Sequence, residues 1–233
     1  MHIGIPNRSS FLHIGAVAQC VAAKLLPWSE YHAAKLLYRL PSDELWLCRC
    51  DELCNRFRQG DLNVIFTGDD YAGEHLRGVK YEKIPFAFIS VHFALLCVNS
   101  GQSRHFDRIF TKYPQTAKEH LKQWDVSYDE INTVSGSSEC FACSLPSSAA
   151  HDVICTGATQ QLNKLHAVHR GSALGCSWYF QRGKFPESLA LVTADGDIFS
   201  RIRSYYQAVM LSRDTAVRDT IGTLLNLANQ PER

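Results

Sequence analysis

The sequence predicts an α/β protein of two α/β domains, the first of them discontinuous, and three observations carry that reading. Short β-branched or apolar runs alternate with amphipathic stretches of helical period along most of the chain. Polar, glycine-bearing turns follow several of these runs at their C-terminal ends, where α/β proteins place ligands. A long apolar run over 86–98 and a second extended run over 173–181 bracket a block that reads as a βαβ unit of its own. The chain thus leaves one domain and returns to it: domain I is 1–95 together with 177–233, and domain II is 96–176.

In chain order, His2–Pro6 carries Ile3 and Ile5 as a first strand and breaks into Asn7-Arg8-Ser9-Ser10. Ser9 or Ser10 caps a helix whose apolar face is Ile14, Val17, Val21 and Leu25. The stretch from Ser29 to Leu40 is ambiguous, helical around Ala33, Leu36 and Leu37 and extended from Tyr38. Leu45–Cys50 reads as a strand, and Asp51 begins a helix with Leu53 and Phe57 inside and Gly60 as its stop. Leu62–Phe66 is a central strand that ends in Thr67-Gly68-Asp69-Asp70. Phe86–Val98, rich in aromatic and β-branched residues and without helix caps, predicts one long strand joining the domains. Ile109–Thr111, a helix opened by Tyr113-Pro114 and closed near Gln123, and Ile131–Val134 form the βαβ unit. Ser135–Glu139 then turns into a second helix, Val153 and Ile154 end a short strand, and Ala173–Gln181 is the return strand. The tail is helical: Asp197 caps a face of Ile198, Ile202, Tyr205 and Val209, and Asp214 caps one of Val217, Ile221 and Leu224.

Of the 233 residues, 24 are basic and 23 acidic, so charge alone calls for neither nucleic acid nor an anionic membrane as partner. The most apolar stretch, Phe11 to Leu26, is interrupted by His13, Gln19 and Lys24 and has no basic region or cleavage site, so it reads as a buried helix. The expected compartment is therefore reducing and cytoplasmic, and the nine cysteines are expected to be small buried hydrophobes without a structural disulfide. No zinc is expected either. Cys140-x-x-Cys143 and Cys48-x-Cys50-x-x-x-Cys54 lack a second paired motif, and Cys48 and Cys50 alternate as on a strand. His166-x-x-His169 could set two imidazoles on one helical face, but core and surface histidines are commoner.

Asp152–Thr159, DVICTGAT, is a strand end, a small-residue loop and a helix start. Such a turn aims backbone N–H groups and the hydroxyls of Thr156 and Thr159 at one point, with the positive end of a helix dipole behind them, which suits a phosphate. Gly157 lets the backbone come close, and the Asp152 carboxylate can accept hydrogen bonds from sugar hydroxyls. Cys155, at the helix N-terminus, is expected to have its thiolate favoured. The plain alternative is an ordinary β-to-α turn capped by Thr159.

With LCRCDEL (47–53), RIFTKYP (108–114) and SGSSE (135–139), the DVICTGAT loop makes four motifs in one order. In that order the chain resembles the ATP phosphoribosyltransferase family over most of residues 45–182. The resemblance implies two α/β domains around a cleft, like the type II periplasmic binding proteins. It implies transfer of phosphoribosyl from phosphoribosyl pyrophosphate to N1 of ATP, with substrate-bound Mg2+, as the first step of histidine biosynthesis. Carried over, the 5′-phosphate falls on Cys155, Thr156, Gly157, Ala158 and Thr159 and the ribose hydroxyls on Asp152; Glu139 matches an acid near the ribose. Arg39 matches an arginine facing the diphosphate, and Arg8 supplies the charge of the loop after the first strand; with Glu139 and Asp152 these form the expected catalytic set. Arg49, Asp69 and Tyr113 are the expected nucleotide contacts. The length of the tail after Gln181 matches the short form of the family, which implies an oligomer with a histidyl-tRNA-synthetase-like regulatory subunit. The chain departs from the family in Asn7-Arg8-Ser9, where a lysine-glycine-arginine loop is usual, in Phe141-Ala142, where alanine-proline is usual, and at Ser148, where an acid is usual. These departures leave two alternatives open: a divergent enzyme with another acceptor, and a non-catalytic protein that binds a nucleotide or sugar phosphate.

Overall fold

The computed structural model describes residues 1–7, 10, 12–32, 34–99, 101 and 104–211, with side chains to residue 204. The fold is mixed α/β with two sheets, one in each of two units: Met1–Ile89 with Gly175–Arg233, and Ser90–Leu174. The sequence placed the boundaries at 95/96 and 176/177; the units meet six and two residues earlier, at 89/90 and 174/175.

Unit 1 opens with β1 (His2–Pro6), whose Ile3 and Ile5 are fully buried, and α1 (His13–Ala22), which buries Ala16, Val17, Cys20 and Val21. Ser10 accepts a hydrogen bond from the Leu12 N–H at 3.2 Å just before the helix; Ser9 lies outside the described residues, and Leu25 lies beyond the helix end. β2 (Leu37–Arg39) resolves the ambiguous stretch as extended. β3 (Glu44–Cys48) stops short of the expected Cys50, because Arg49 is already the N-cap of α2 (Cys50–Gln59). Asp51 and Glu52 in the first turn of α2 favour its positive end, and Gly60, at φ +87°, closes it. β4 (Val64–Gly68) is buried throughout and leads into α3 (Asp69–His75) and β5 (Glu82–Pro85).

The expected strand over 86–98 is not one strand. β5 ends at Pro85, Phe86 and Phe88 turn into the core of unit 1, and a new strand starts in unit 2 at Val91. Proline cannot donate to a ladder, and the buried phenylalanines hold the chain in unit 1 until Ile89. The run over 173–181 is likewise two strands parted at Gly175, where a Cβ would stand 2.5 Å from the Cβ of Ala87. Only glycine allows the outgoing and returning segments to pass that closely.

Unit 2 is β6 (Val91–Cys97), β7 (His105–Thr111), α4 (Pro114–Gln123), β8 (Ser127–Thr133), α5 (Ser138–Ser144), β9 (Ser148–Ile154), α6 (Ala158–Leu162) and β10 (His166–Leu174). The sheet order is β10-β6-β9-β7-β8, with β7 parallel to both β8 and β9. Leu95, Ile109, Ala117, Leu121 and Ala149 fill one core cluster, while Ala94, Leu96, Ala142 and Ala150 fill another. His166 and His169 lie on β10, not on a helix, because the edge of β6 supplies an antiparallel ladder to that segment.

The chain returns as β11 (Cys176–Phe180), antiparallel between β4 and β5, giving unit 1 the order β2-β3-β1-β4-β11-β5. Trp178 is fully buried and donates its indole N–H to Gln19 of α1 at 2.8 Å, tying the returning strand to the first helix. α7 (Glu187–Ala194) and α8 (Gly196–Leu211) follow. The cap of α8 is Asp195 and not Asp197: its Oδ1 accepts from the N–H groups of Asp197 and Ile198 at 2.9 and 3.2 Å. The helix expected from Asp214 lies outside the described residues.

Candidate functional site

Because β7 and β9 run parallel, their C-terminal ends arrive side by side, and the residues that follow share one end of the sheet. Asp152, near the end of β9, is buried at 7% exposure. Its Oδ2 accepts the Ser138 hydroxyl at 2.5 Å and its Oδ1 accepts the Val153 N–H at 2.7 Å, so the carboxylate is held in one orientation. Ser138 is the first residue of α5, set there by Ser137 in the left-handed region at φ 55°. Glu139 follows, half-buried, with Oε2 3.5 Å from the same hydroxyl. Lys112, the residue after β7, brings Nζ to 3.9 Å from Asp152 Oδ1. Lys112 was missing from the sequence-predicted set. Its position in RIFTKYP, just after a strand, is a signal only once that strand is known to lie beside β9.

The loop after β9 is built around Gly157, at φ +75° and in the N-cap position of α6. Thr156 Oγ1 accepts the Ala158 N–H at 3.3 Å, and the Gln161 N–H closes the first turn on Gly157 O at 3.0 Å. The other first-turn N–H groups have no intrahelical acceptor and are the donors such a loop offers an anion. Two expectations are corrected here. Thr159 is not the cap, since Gly157 holds that position, and α6 has only five residues, so the dipole behind the loop is small. Cys155 stands at the surface of the loop, yet desolvation by its neighbours pushes its thiol up, not down.

The other described residues of the expected set have partners of their own. Tyr113 is fully buried; its N–H donates to Thr111 Oγ1 at 2.9 Å and its ring packs edge-on to Phe93 at 5.0 Å. Its place is to support Lys112, whose Nζ lies 5.0 Å over the ring, and not to face a nucleotide. In unit 1, Arg49 caps α2 with its guanidinium 3.5 Å from Asp51. Asp69 begins α3 and is engaged by β11: its Oδ1 accepts the hydroxyls of Ser177 at 2.8 Å and Tyr179 at 2.5 Å, and its Oδ2 the Gly175 N–H at 3.4 Å. Burial and that carboxylate push the Tyr179 phenol up. Arg49 and Asp69 stand at the C-terminal ends of β3 and β4, as does Asn7 at the end of β1, where its N–H donates to Cys48 O at 2.8 Å. Arg39 is at the other end of that sheet: β2 runs antiparallel to β3, and Arg39 pairs with Glu44 at 3.6 Å. Arg8 lies outside the described residues.

A family model described as ATP phosphoribosyltransferase matches residues 49–172. Among solved structures, the chain is similar to the ATP phosphoribosyl transferase (HisG:HisZ) complex from Thermotoga maritima. There the identity is 15%, with 88% of this chain and 99% of that chain covered and a TM-score of 0.67. It is similar to the GluR0 ligand-binding core in complex with L-glutamate at 10% identity, covering 91% and 98% of the two chains with a TM-score of 0.56. The periplasmic VFT2 domain of BvgS from Bordetella pertussis follows at 10% identity, 88% and 92% coverage and a TM-score of 0.52. At these identities the likeness is one of fold, and it is the fold of periplasmic-binding-protein-like type II domains. No curated protein matches the sequence.

Proposed function

Since this chain belongs to the ATP phosphoribosyltransferase family, we propose that it transfers phosphoribosyl from phosphoribosyl pyrophosphate to N1 of ATP, the first step of histidine biosynthesis. The observation that carries the reading is the meeting of Asp152, Ser138, Lys112 and the Gly157 loop at one end of the unit 2 sheet. A carboxylate fixed by a neighbouring hydroxyl, a cation beside it and a loop of outward N–H groups suit ribose hydroxyls and a phosphate. In the reaction, the N1 lone pair forms a bond to the anomeric carbon as the bond from that carbon to the diphosphate oxygen breaks. Pyrophosphate departs with the bonding pair, and the carbon is inverted. No nucleophilic side chain is needed; the work is positioning and stabilising charge. Asp152 accepts from the ribose hydroxyls, the loop N–H groups hold the 5′-phosphate, and Lys112 offsets negative charge beside them. Asp152 is already engaged by Ser138, Val153 and Lys112, so a divalent cation finds few protein oxygens here. A substrate-bound magnesium would be held mainly by diphosphate oxygens, with half-buried Glu139 as a further protein carboxylate beside Ser138, and would supply charge neutralisation on the leaving group.

The HisG:HisZ complex of the Thermotoga relative supports a second subunit for this chain too, of the histidyl-tRNA-synthetase-like kind that the resemblance implies. No described helix is long and apolar enough to cross a membrane.

A second reading has its own support. Asp69 is engaged by β11 and Arg39 stands at the opposite end of its sheet, so unit 1 lacks two of the contacts expected for ATP and diphosphate. Such a protein would bind the sugar phosphate and either use another acceptor or not turn over. The deciding experiment mixes the protein with phosphoribosyl pyrophosphate, magnesium and ATP or other nucleobase-like acceptors, and measures pyrophosphate. Release that requires ATP supports the first reading; release only with another acceptor, or binding without release, favours the second.

A further inference from the structure

β9 carries two successive residues to opposite sides of the unit 2 sheet. Asp152 meets α5 through Ser138, whereas His151 is fully buried against His120 of α4. His151 Nδ1 lies 3.3 Å from Thr111 Oγ1, and its Nε2 lies 3.0 Å from His120 Nδ1. Thr111 Oγ1 also accepts the Tyr113 N–H at 2.9 Å, so this hydroxyl joins the backbone after β7 to the His151 ring. On its other side, His151 Nε2 shares a hydrogen bond with His120 Nδ1. The hydrogen bonds link Tyr113, Thr111, His151 and His120 in one chain. Burial, with His120 beside it, pushes this imidazole down to about 3. Phe93 stacks on the His151 ring at 4.9 Å and fixes its plane.

The place of this chain of bonds gives it a task. The parallel ladder between β7 and β9 ends at Phe110 opposite Ala150. The next residues along the two strands are Thr111 and His151, joined by their side chains, and the next after those are Lys112 and Asp152, whose charged groups lie 3.9 Å apart. A side-chain hydrogen bond therefore takes over where the backbone ladder stops, one residue before the site.

We propose that His151, acting through Thr111, is a positioning residue for the phosphoribosyl site. It holds the end of β7 so that Lys112 stands beside Asp152 and both address one sugar phosphate. His151 touches no substrate. The inference rests on the reading of this end of unit 2 as the phosphoribosyl pyrophosphate site.

The test is a double-mutant cycle read by calorimetric affinity for phosphoribosyl pyrophosphate with magnesium, on the full chain. Thr111→Val keeps the shape and deletes the hydroxyl; it is expected to weaken binding about tenfold, and Thr111→Ser to recover most of that. In a Lys112→Ala background the Thr111→Val change is expected to have no further effect, because the group it positions is gone. Should Thr111→Val fail to fold, His151→Leu removes the same bond from the other side and completes the cycle. Unchanged affinity with a lowered melting temperature, or equal losses in both backgrounds, would show a merely structural bond and overturn the inference. A wild-type protein that does not bind the sugar phosphate would overturn the reading of the site and the inference together, whereas wild-type binding with additive losses overturns the inference alone.

Discussion

Both oxygens of Asp152 are engaged by protein donors, and that sets the expected effect of changing it. Asp152→Asn keeps the shape but removes the charge and turns an NH2 group toward a donor. A charge-assisted hydrogen bond contributes ~1.5–3 kcal/mol, so affinity for phosphoribosyl pyrophosphate should fall about ten- to a hundredfold while inorganic phosphate still binds the loop. Gly157→Val acts on the other half of the site. A Cβ there meets the protein only at 3.8 Å, so the variant packs, but φ +75° strains a branched residue by about 1–3 kcal/mol. It should fold with a lower melting temperature and lose phosphate binding; intact binding in the folded variant would remove the loop from the site. His151 makes a prediction in pH. Its folded-state pKa, about 3, lies below its unfolded value of 6.5, so between those values the unfolded chain binds a proton that the native chain does not. The stabilisation is full above 6.5 and is lost as pH falls toward 3, with a slope of up to about 1.4 kcal/mol per pH unit. His13, lowered by burial, adds in the same direction. Urea unfolding from pH 7 to 4 should show the slope, and His151→Leu should flatten it.

At the scale of elements, Asp69 acts as a clasp between α3 and β11. Asp69→Ala leaves buried donors on Ser177 and Tyr179 and should cost about 1–3 kcal/mol of stability in urea unfolding, with no change in sugar-phosphate affinity. A loss of ATP affinity at unchanged stability would contradict that assignment. The same elements show what could be read from the chain. The helix opened by Pro114, and the one closed by Gly60, were legible because cap, period and stop lie within a dozen residues. The breaks at Pro85 and Gly175 were not, since both depend on two segments passing each other that are distant in sequence. β10 was missed because its strand character comes from the free edge of β6, and Asp195 was passed over for Asp197, two residues on, which fits a cap equally well by type. Lys112 shows the limit most clearly. Its chemistry was visible, but its partner lies 40 residues away and is brought near only by the parallel pairing of β7 with β9.

For the whole molecule, the sequence conveyed the larger plan, an α/β chain that leaves one unit and comes back, because glycine turns and apolar runs mark where strands end. The loop and carboxylate that the motifs pointed to do come together on unit 2, whereas the contacts expected from unit 1 are divided between the two ends of its sheet. The proposed sugar-phosphate site therefore lies on unit 2, and identification of the acceptor rests on chemistry. The most direct measurement is pyrophosphate release from phosphoribosyl pyrophosphate by the folded protein with magnesium and ATP, alone and with a short-form regulatory partner. ATP-dependent release, lowered about ten- to a hundredfold in Asp152→Asn at low substrate, is the predicted result; no release under either condition would contradict the account.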